Sequence, residues 1–279
     1  MENNENKLVE APKQQLTLGN VANYTIDRVN ALLQKGSISF PQGYDFGTAV
    51  TYAVNAIRQD SNIASCNIAS VGQALMDMIT LGLDARKKQG YFINYGGVCK
   101  FQPSYFGDAA ALLNAGIIVD IDAQPIFKGD DLELKTINDR VVVKSYKTKF
   151  GNSNNEIIGG YAWVKLPNGE KRYCIMTMQE IEKSWAKSRN NKNAVQKDFA
   201  TEMVKRTLIR RLVKLINNTS ANTMEGRTAF VEAFNRVYDD EFDNGNAPVK
   251  EEKTTVKIDD IFEADETTGE VKLEENNQE

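Results

Sequence analysis

The stretch Lys197–Asn217, KDFATEMVKRTLIRRLVKLIN, decides how the rest of this chain is read. Laid out at about 100° per residue it is an amphipathic helix. Leu208, Leu212, Leu215 and Ile216 share one face, with Val204 and Ile209 beside them. Arg206, Arg210 and Lys214 recur at i, i+4 and i+8 on the other side, with Arg211 at its margin. One helical turn advances about 5.4 Å, so the three cations would lie at close to the repeat of a single-strand phosphate backbone. A solvated face of a core helix is the alternative reading. Against it, Glu202 is the only carboxylate of the stretch after Asp198, so the row lacks the local acids that i,i+4 pairing would supply. The helix predicts polyanion binding.

The overall charge hides this. The chain has 38 acids, 34 bases and a formal net charge of −4. Of these, 15 acids and 4 bases fall in residues 239–279, which leaves 23 acids and 30 bases in residues 1–238. A basic body with a strongly acidic tail suits a protein that handles single strands. Residues 1–18 are expected to be flexible, 19–238 to form one core, and 239–279 to be a disordered acidic tail. Within the tail, KIDDIF at Lys257–Phe262 sets apolar anchors among acids, like the acidic tip of bacterial single-strand-binding proteins. It is a candidate for partner contact or self-restraint.

Other function classes are narrowed by composition. The chain has no histidine, which removes His-based triads and His metal sites. Cys66, Cys99 and Cys174 are odd in number and outside any CxxC pattern, so they read as buried or free thiols. The start MENNENKLVEAPKQQ is polar, unlike a signal peptide, and no 18-residue apolar run marks a membrane span. Asp120, Asp122 and Asp130 are the obvious carboxylates for a hard cation. The alternation of IIVDIDAQ instead predicts that Asp120 and Asp122 line the wet face of a strand. No catalytic residue, metal ligand or cofactor is assigned.

Helices are predicted over Val21–Leu33, Phe46–Arg58 and Ile68–Leu81, the last capped by Gly82. Next, YFINYGGVCKFQ at Tyr91–Gln102 is a hairpin signal, because a Gly-Gly loop favours a primed turn. That turn opposes Tyr95 to Val98, Ile93 to Lys100 and Tyr91 to Gln102, all on one face. Phe92, Asn94, Cys99 and Phe101 take the other, as the core side. Aromatics mixed with a cation and an amide suit stacking on bases beside a phosphate contact; an ordinary exposed sheet face is the alternative. Arg86, Lys87 and Lys88 add charge just upstream. A helix follows over Pro103–Ala115, then a largely β region from Ile117 to Thr177 and a short helix at Met178–Lys187. The loop SRNNKNAVQK, Ser188–Lys197, is basic and Asn-rich. With Lys187 it contributes Arg189, Lys192 and Lys197 as further candidate DNA contacts. A last helix is expected over Ala221–Tyr238.

Four ordered pieces together resemble the RecT family of phage- and prophage-encoded single-strand annealing proteins. They are IASVGQALMDMITLGLD, YFINYGGVCKFQPSYFG, GGYAWVKLPNGEKRYCIMTMQEIEK and DFATEMVKRTLIRRLVKLI, within residues 45–217. The resemblance implies an α+β fold, an antiparallel sheet with a β-hairpin and a long basic amphipathic helix packed on it, preceded by N-terminal helices. It implies ATP-independent annealing of single-stranded DNA to a complementary strand on a homo-oligomeric ring or filament, in the cytoplasm of a bacterial host. A 5′→3′ exonuclease and a host single-strand-binding protein are the implied partners. The absence of a phosphate-binding Gly-x-x-x-x-Gly-Lys-Ser/Thr loop agrees with no nucleotide hydrolysis. A non-annealing single-strand-binding protein and a metal-dependent nuclease using Asp120, Asp122 and Asp130 are the competing readings.

Overall fold

A computed structural model describes residues 16–186, 198–219 and 227–238; the expected acidic tail and the Ser188–Lys197 loop lie outside them. The chain begins with helices α1 (Val21–Gln34), α2 (Phe46–Gln59), the single turn α3 (Ser61–Ala64) and α4 (Ile68–Thr80). Local chemistry fixes their ends. Asp45 and Asn67 cap α2 and α4 by accepting the Thr48 and Ala69 amides at 3.0 and 2.8 Å. Helix α4 stops where Gly82 turns left-handed at φ +67°. There the Gly82 amide reaches Ile79 O and the Leu83 amide reaches Met78 O, satisfying two of the carbonyls that a helix end orphans. Val71, Leu75, Met78 and Ile79 are fully buried, because α4 packs on α1 and α2 on one side and on strand β2 on the other.

Strands β1 (Gly90–Tyr95) and β2 (Val98–Pro103) form an antiparallel hairpin with the predicted register, Tyr91 opposite Gln102, Ile93 opposite Lys100 and Tyr95 opposite Val98. Gly96 and Gly97 both have positive φ, as the primed turn requires. Helix α5 (Tyr105–Asn114) starts two residues later than expected, since Pro103 still closes β2 and Ser104 caps the helix. A second sheet follows, in the order β3 (Asp120–Phe127), β6 (Ile157–Lys165), β7 (Lys171–Thr177), antiparallel throughout. Between β3 and β6 the chain makes a separate hairpin, β4 (Asp131–Ile137) with β5 (Arg140–Lys147), which joins neither sheet. Helix α6 (Met178–Ala186) comes next.

The long basic helix is α7 (Ala200–Thr219), which packs across β3, β6 and β7. Gly160 makes this possible, because a Cβ there would lie 2.7 Å from Leu208 Cδ1 and 3.0 Å from Val204 Cγ1. On the opposite flank α7 meets α5. Held from two sides, it buries Val204, Leu208, Leu212, Val213 and Ile216, more of its circumference than an amphipathic surface helix would. Leu215, expected on the apolar face, is 52% exposed. Trp185 of α6 donates its indole N–H to Thr207 Oγ1 at 2.8 Å, fixing α6 to α7. Helix α8 (Arg227–Tyr238) closes the described chain against α4 and β2, burying Ala233, Phe234 and Tyr238. Two bonds hold its last turn: Arg236 Nε donates to Asp77 Oδ1 at 3.0 Å, and Tyr238 OH donates to Asp108 Oδ1.

Candidate nucleic-acid interface

The two faces of the first hairpin differ sharply. Cys99 and Phe101 are buried, and Phe92 tilts against Phe101 with ring centroids 5.3 Å apart. The other face carries Tyr91 and Tyr95, both exposed, with Lys100 and Gln102 half-buried between strands. Tyr95 OH donates to Gln102 Oε1 at 3.3 Å, so ring and amide are held as one surface. The dry face also sets the cysteine chemistry. Burial pushes the Cys99 thiol up to about 12, with Cys66 beside it adding to the rise.

The basic turn adjoins this face at the open end of the hairpin. Lys87 and Lys88 are exposed, and Lys88 adopts φ 55°. Ser104 stitches the turn to α5, donating its hydroxyl to Lys88 O at 2.7 Å and its amide to Gln89 O at 3.0 Å. Arg86 is different. Its guanidinium forks onto Asp84, Nε at 3.0 and 2.9 Å from the two carboxylate oxygens and Nη2 at 2.6 Å from Oδ2. Burial works to raise the Asp84 carboxyl, but the bonds from Arg86 hold it below the usual carboxylate range. Arg86 therefore orders the turn while its charge is matched.

The cation row of α7 does not form the open solvent face read from the helical wheel. Its side faces α5, where Tyr105 OH donates to Glu202 Oε2 at 3.0 Å and Arg210 Nε donates to Asp108 Oδ2 at 2.9 Å. The Arg210 side chain is 12% exposed and that of Asp108 0%. Arg210 also donates through Nη2 to Pro103 O at 2.9 Å, so it braces α7 against both α5 and the end of β2. Arg210, expected as a phosphate contact, is engaged here as a strut, its guanidinium matching the charge of the buried Asp108 carboxylate. Arg206 and Lys214, one turn to either side, are half-buried on the same flank. Arg211 is exposed over β7, with Nη1 4.0 Å from Met176 Sδ.

The candidates thus fall into groups. Tyr91, Tyr95, Lys100 and Gln102 are contiguous with Arg86–Lys88, and Arg210 ties that end of the hairpin to α7. Arg211 lies apart from them, over the second sheet. Lys187, Arg189, Lys192 and Lys197 are outside the described residues. Sequence reasoning missed Asp84 and Asp108, which engage the candidate arginines Arg86 and Arg210. Asp84-Ala-Arg86 at least has a short spacing; Asp108 gives no local signal, being 102 residues from Arg210.

The carboxylates considered for a cation are engaged with the protein itself. Asp122 accepts from the Ala123 amide and the Gln124 side chain, and it and Asp120 lie exposed on β3 as expected. Asp130 accepts four bonds, from Phe127 N (2.8 Å), Tyr146 OH (2.6 Å), Thr148 Oγ1 (2.6 Å) and Asn152 Nδ2 (2.8 Å). Desolvation raises its carboxyl, yet these donors win and bring it to about 2. Among the described residues, no group of three or more acidic or thiol side chains is arranged to hold a metal, and no helix is long and apolar enough to cross a membrane.

A model of the RecT family fits residues 48–268, while no individual curated protein matches the chain.

Proposed function

The chain belongs to the RecT family of single-strand annealing recombination proteins, and from that premise we propose that it holds single-stranded DNA by the phosphate backbone and pairs it with a complementary strand without ATP. The observation that carries this reading is the two-faced first hairpin: a dry side locked on α4, and a wet side of tyrosine, amide and lysine running into the exposed Lys87–Lys88 turn. Annealing requires Watson–Crick edges to stay free. Affinity then has to come from cations on phosphates, with aromatic faces steadying bases without reading them.

Lys87, Lys88 and Lys100 are the proposed first contacts, with Tyr91, Tyr95 and Gln102 against the sugar and base faces. Arg206, Lys214 and Arg211 extend the positive surface along α7, while Arg86 and Arg210 position it. So few cations per subunit bind weakly alone. Head-to-tail association into a ring or helical filament multiplies them along one strand. The second strand enters where matched bases offset the cost of crowding two backbones, assisted by the Lys187–Lys197 segment. A 5′→3′ exonuclease would supply the single strand in the bacterial cytoplasm, for a phage or prophage. The acidic residues 239–279 are proposed to contact a host single-strand-binding protein or its receptors, or to restrain the basic surface. Deleting them should leave annealing intact.

The test mixes two dye-labelled complementary oligonucleotides with the protein and no ATP, and follows energy transfer between the dyes. Accelerated pairing, and a two-strand complex more salt-resistant than the one-strand complex, is expected. Equal retention of a non-complementary second strand would mean a coating protein instead. Shortening of end-labelled strands in Mg²⁺ would mean a nuclease.

A further inference from the structure

Phe106, in the first turn of α5, is 57% exposed. A single exposed ring on a protein surface normally needs no explanation. This one is mounted. Its ring lies 4.0 Å from that of Tyr105, tilted by 32°, and Tyr105 is pinned in turn by its hydroxyl bond to Glu202 of α7 at 3.0 Å. Glu202 is itself 3.5 Å from Lys205 Nζ. The mount is set against the basic turn by backbone contact. At Gly107 a Cβ would fall 1.8 Å from Gln89 O, so only glycine lets the start of α5 press this closely on residues 88–89. The two Ser104 bonds to Lys88 O and Gln89 O fasten the same junction. An exposed, backed aromatic ring thus stands in the helix turn whose backbone packs on the turn that carries the exposed Lys87 and Lys88, at the end of the hairpin where Tyr91 faces Gln102.

We propose that Phe106, supported by Tyr105, is a stacking platform for one base of the bound strand while Lys87 and Lys88 hold the neighbouring phosphates. The inference rests on the single-strand-binding reading above and adds a base-face contact to it. Single-stranded nucleic acid is the occupant that this chemistry favours, since it alone presents flat apolar faces and regularly spaced anions together. Stacking uses the face of a base and leaves its pairing edge open, so the platform is compatible with annealing. It would hold one base out of line with its neighbours at the mouth of the hairpin.

The experiment compares wild type with F106A, F106L and F106W, using short oligo(dT) carrying one 2-aminopurine whose emission reports stacking. The ring is exposed, so all three should melt as wild type does. F106A and F106L should bind roughly fivefold to a hundredfold more weakly, with the salt slope unchanged because no phosphate contact is lost. They should also lose the emission change, and F106W should restore both. K87Q/K88Q should do the reverse, lowering the salt slope while leaving the emission change of the bound strand. Wild-type affinity in both F106A and F106L overturns the proposal. So does a loss in F106L that F106W fails to restore, or a change in the size of the DNA-free protein in F106A, which would assign the ring to a contact between subunits. Failure of wild type to bind the oligonucleotide at all would instead strike the single-strand-binding reading itself.

Discussion

The molecule contains two hairpins with the same turn chemistry and opposite surroundings. In β1–β2 the turn is Gly96-Gly97, in β4–β5 Asn138-Asp139, and all four residues have positive φ. The first lies on α4 and α8 and owns a dry side. The second has no buried strand residue, and its apolar Leu134, Ile137 and Val141 are exposed. An isolated two-stranded hairpin is marginal in water. The second is held at its root, where Tyr146 OH donates to Asp130, lies 3.0 Å from Pro125 O and packs edge-on against Tyr161, and beside its turn, where Arg140 Nη1 donates to Glu170 Oε1 between β6 and β7 at 2.9 Å. Burying one face makes a hairpin rigid enough to present the other to a ligand. Anchoring without a buried face leaves an arm.

This difference predicts unequal responses to truncation. F101A, at a ring 2% exposed, should cost about 3–5 kcal/mol, read as a drop in denaturation midpoint. V141A on the arm should stay within about 0.5 kcal/mol. A fully stable F101A would abolish the distinction. Nearly as large an effect is expected behind the first hairpin at Arg210. R210A leaves Asp108 buried with its charge less well matched, a loss of about 3 kcal/mol, and its binding defect should vanish once measured on the folded fraction. A stable R210A with a reduced salt slope would return Arg210 to the phosphate contacts.

Acid should separate the hairpins by a smaller margin. The Asp130 carboxyl is lowered from its ordinary 3.8 to about 2. Its folded value lies below its unfolded one, so the stabilisation it gives is complete above about pH 4 and is lost as pH falls toward 2. Amide exchange in β4–β5 should accelerate across that window while β1–β2 holds, and D130N should erase the pH dependence. Parallel acceleration in both would show one cooperative unit. The smallest effect concerns DNA. K100A should reduce the salt slope by about 0.7, whereas K144A should change nothing, since Lys144 is paired with Glu133 on the arm. A response to K144A equal to that of K100A would dissolve the assigned sidedness.

Much of the first hairpin was legible because strand alternation and a Gly-Gly turn leave one register, and a one-residue slip would have exposed Phe101. The end of α4 was legible for the same kind of reason, since Gly82 can serve there without strain. Helix α7 was legible as a helix but not in its orientation. A helical wheel shows which residues share a face, not what that face meets, and here it meets α5 through Asp108. The exposure of Leu215 and the burial of Arg210 are two sides of that one fact. Likewise the β character of residues 131–147 was readable, but not their departure from the sheet, because Val141, Val142 and Val143 suit a strand with or without a neighbour. The single turn α3, capped by Asp60, is too short to show any period.

The bonds that end α8 decide how far the chain can be shortened from its C-terminal side. A fragment ending at Tyr238 keeps the Arg236 and Tyr238 donors on the buried carboxylates of Asp77 and Asp108. One ending three residues earlier, at Asn235, strips a donor from each and removes the ring stacked 4.1 Å from Phe234. A folded fragment therefore has to include Tyr238, where the chain is tied to both α4 and α5.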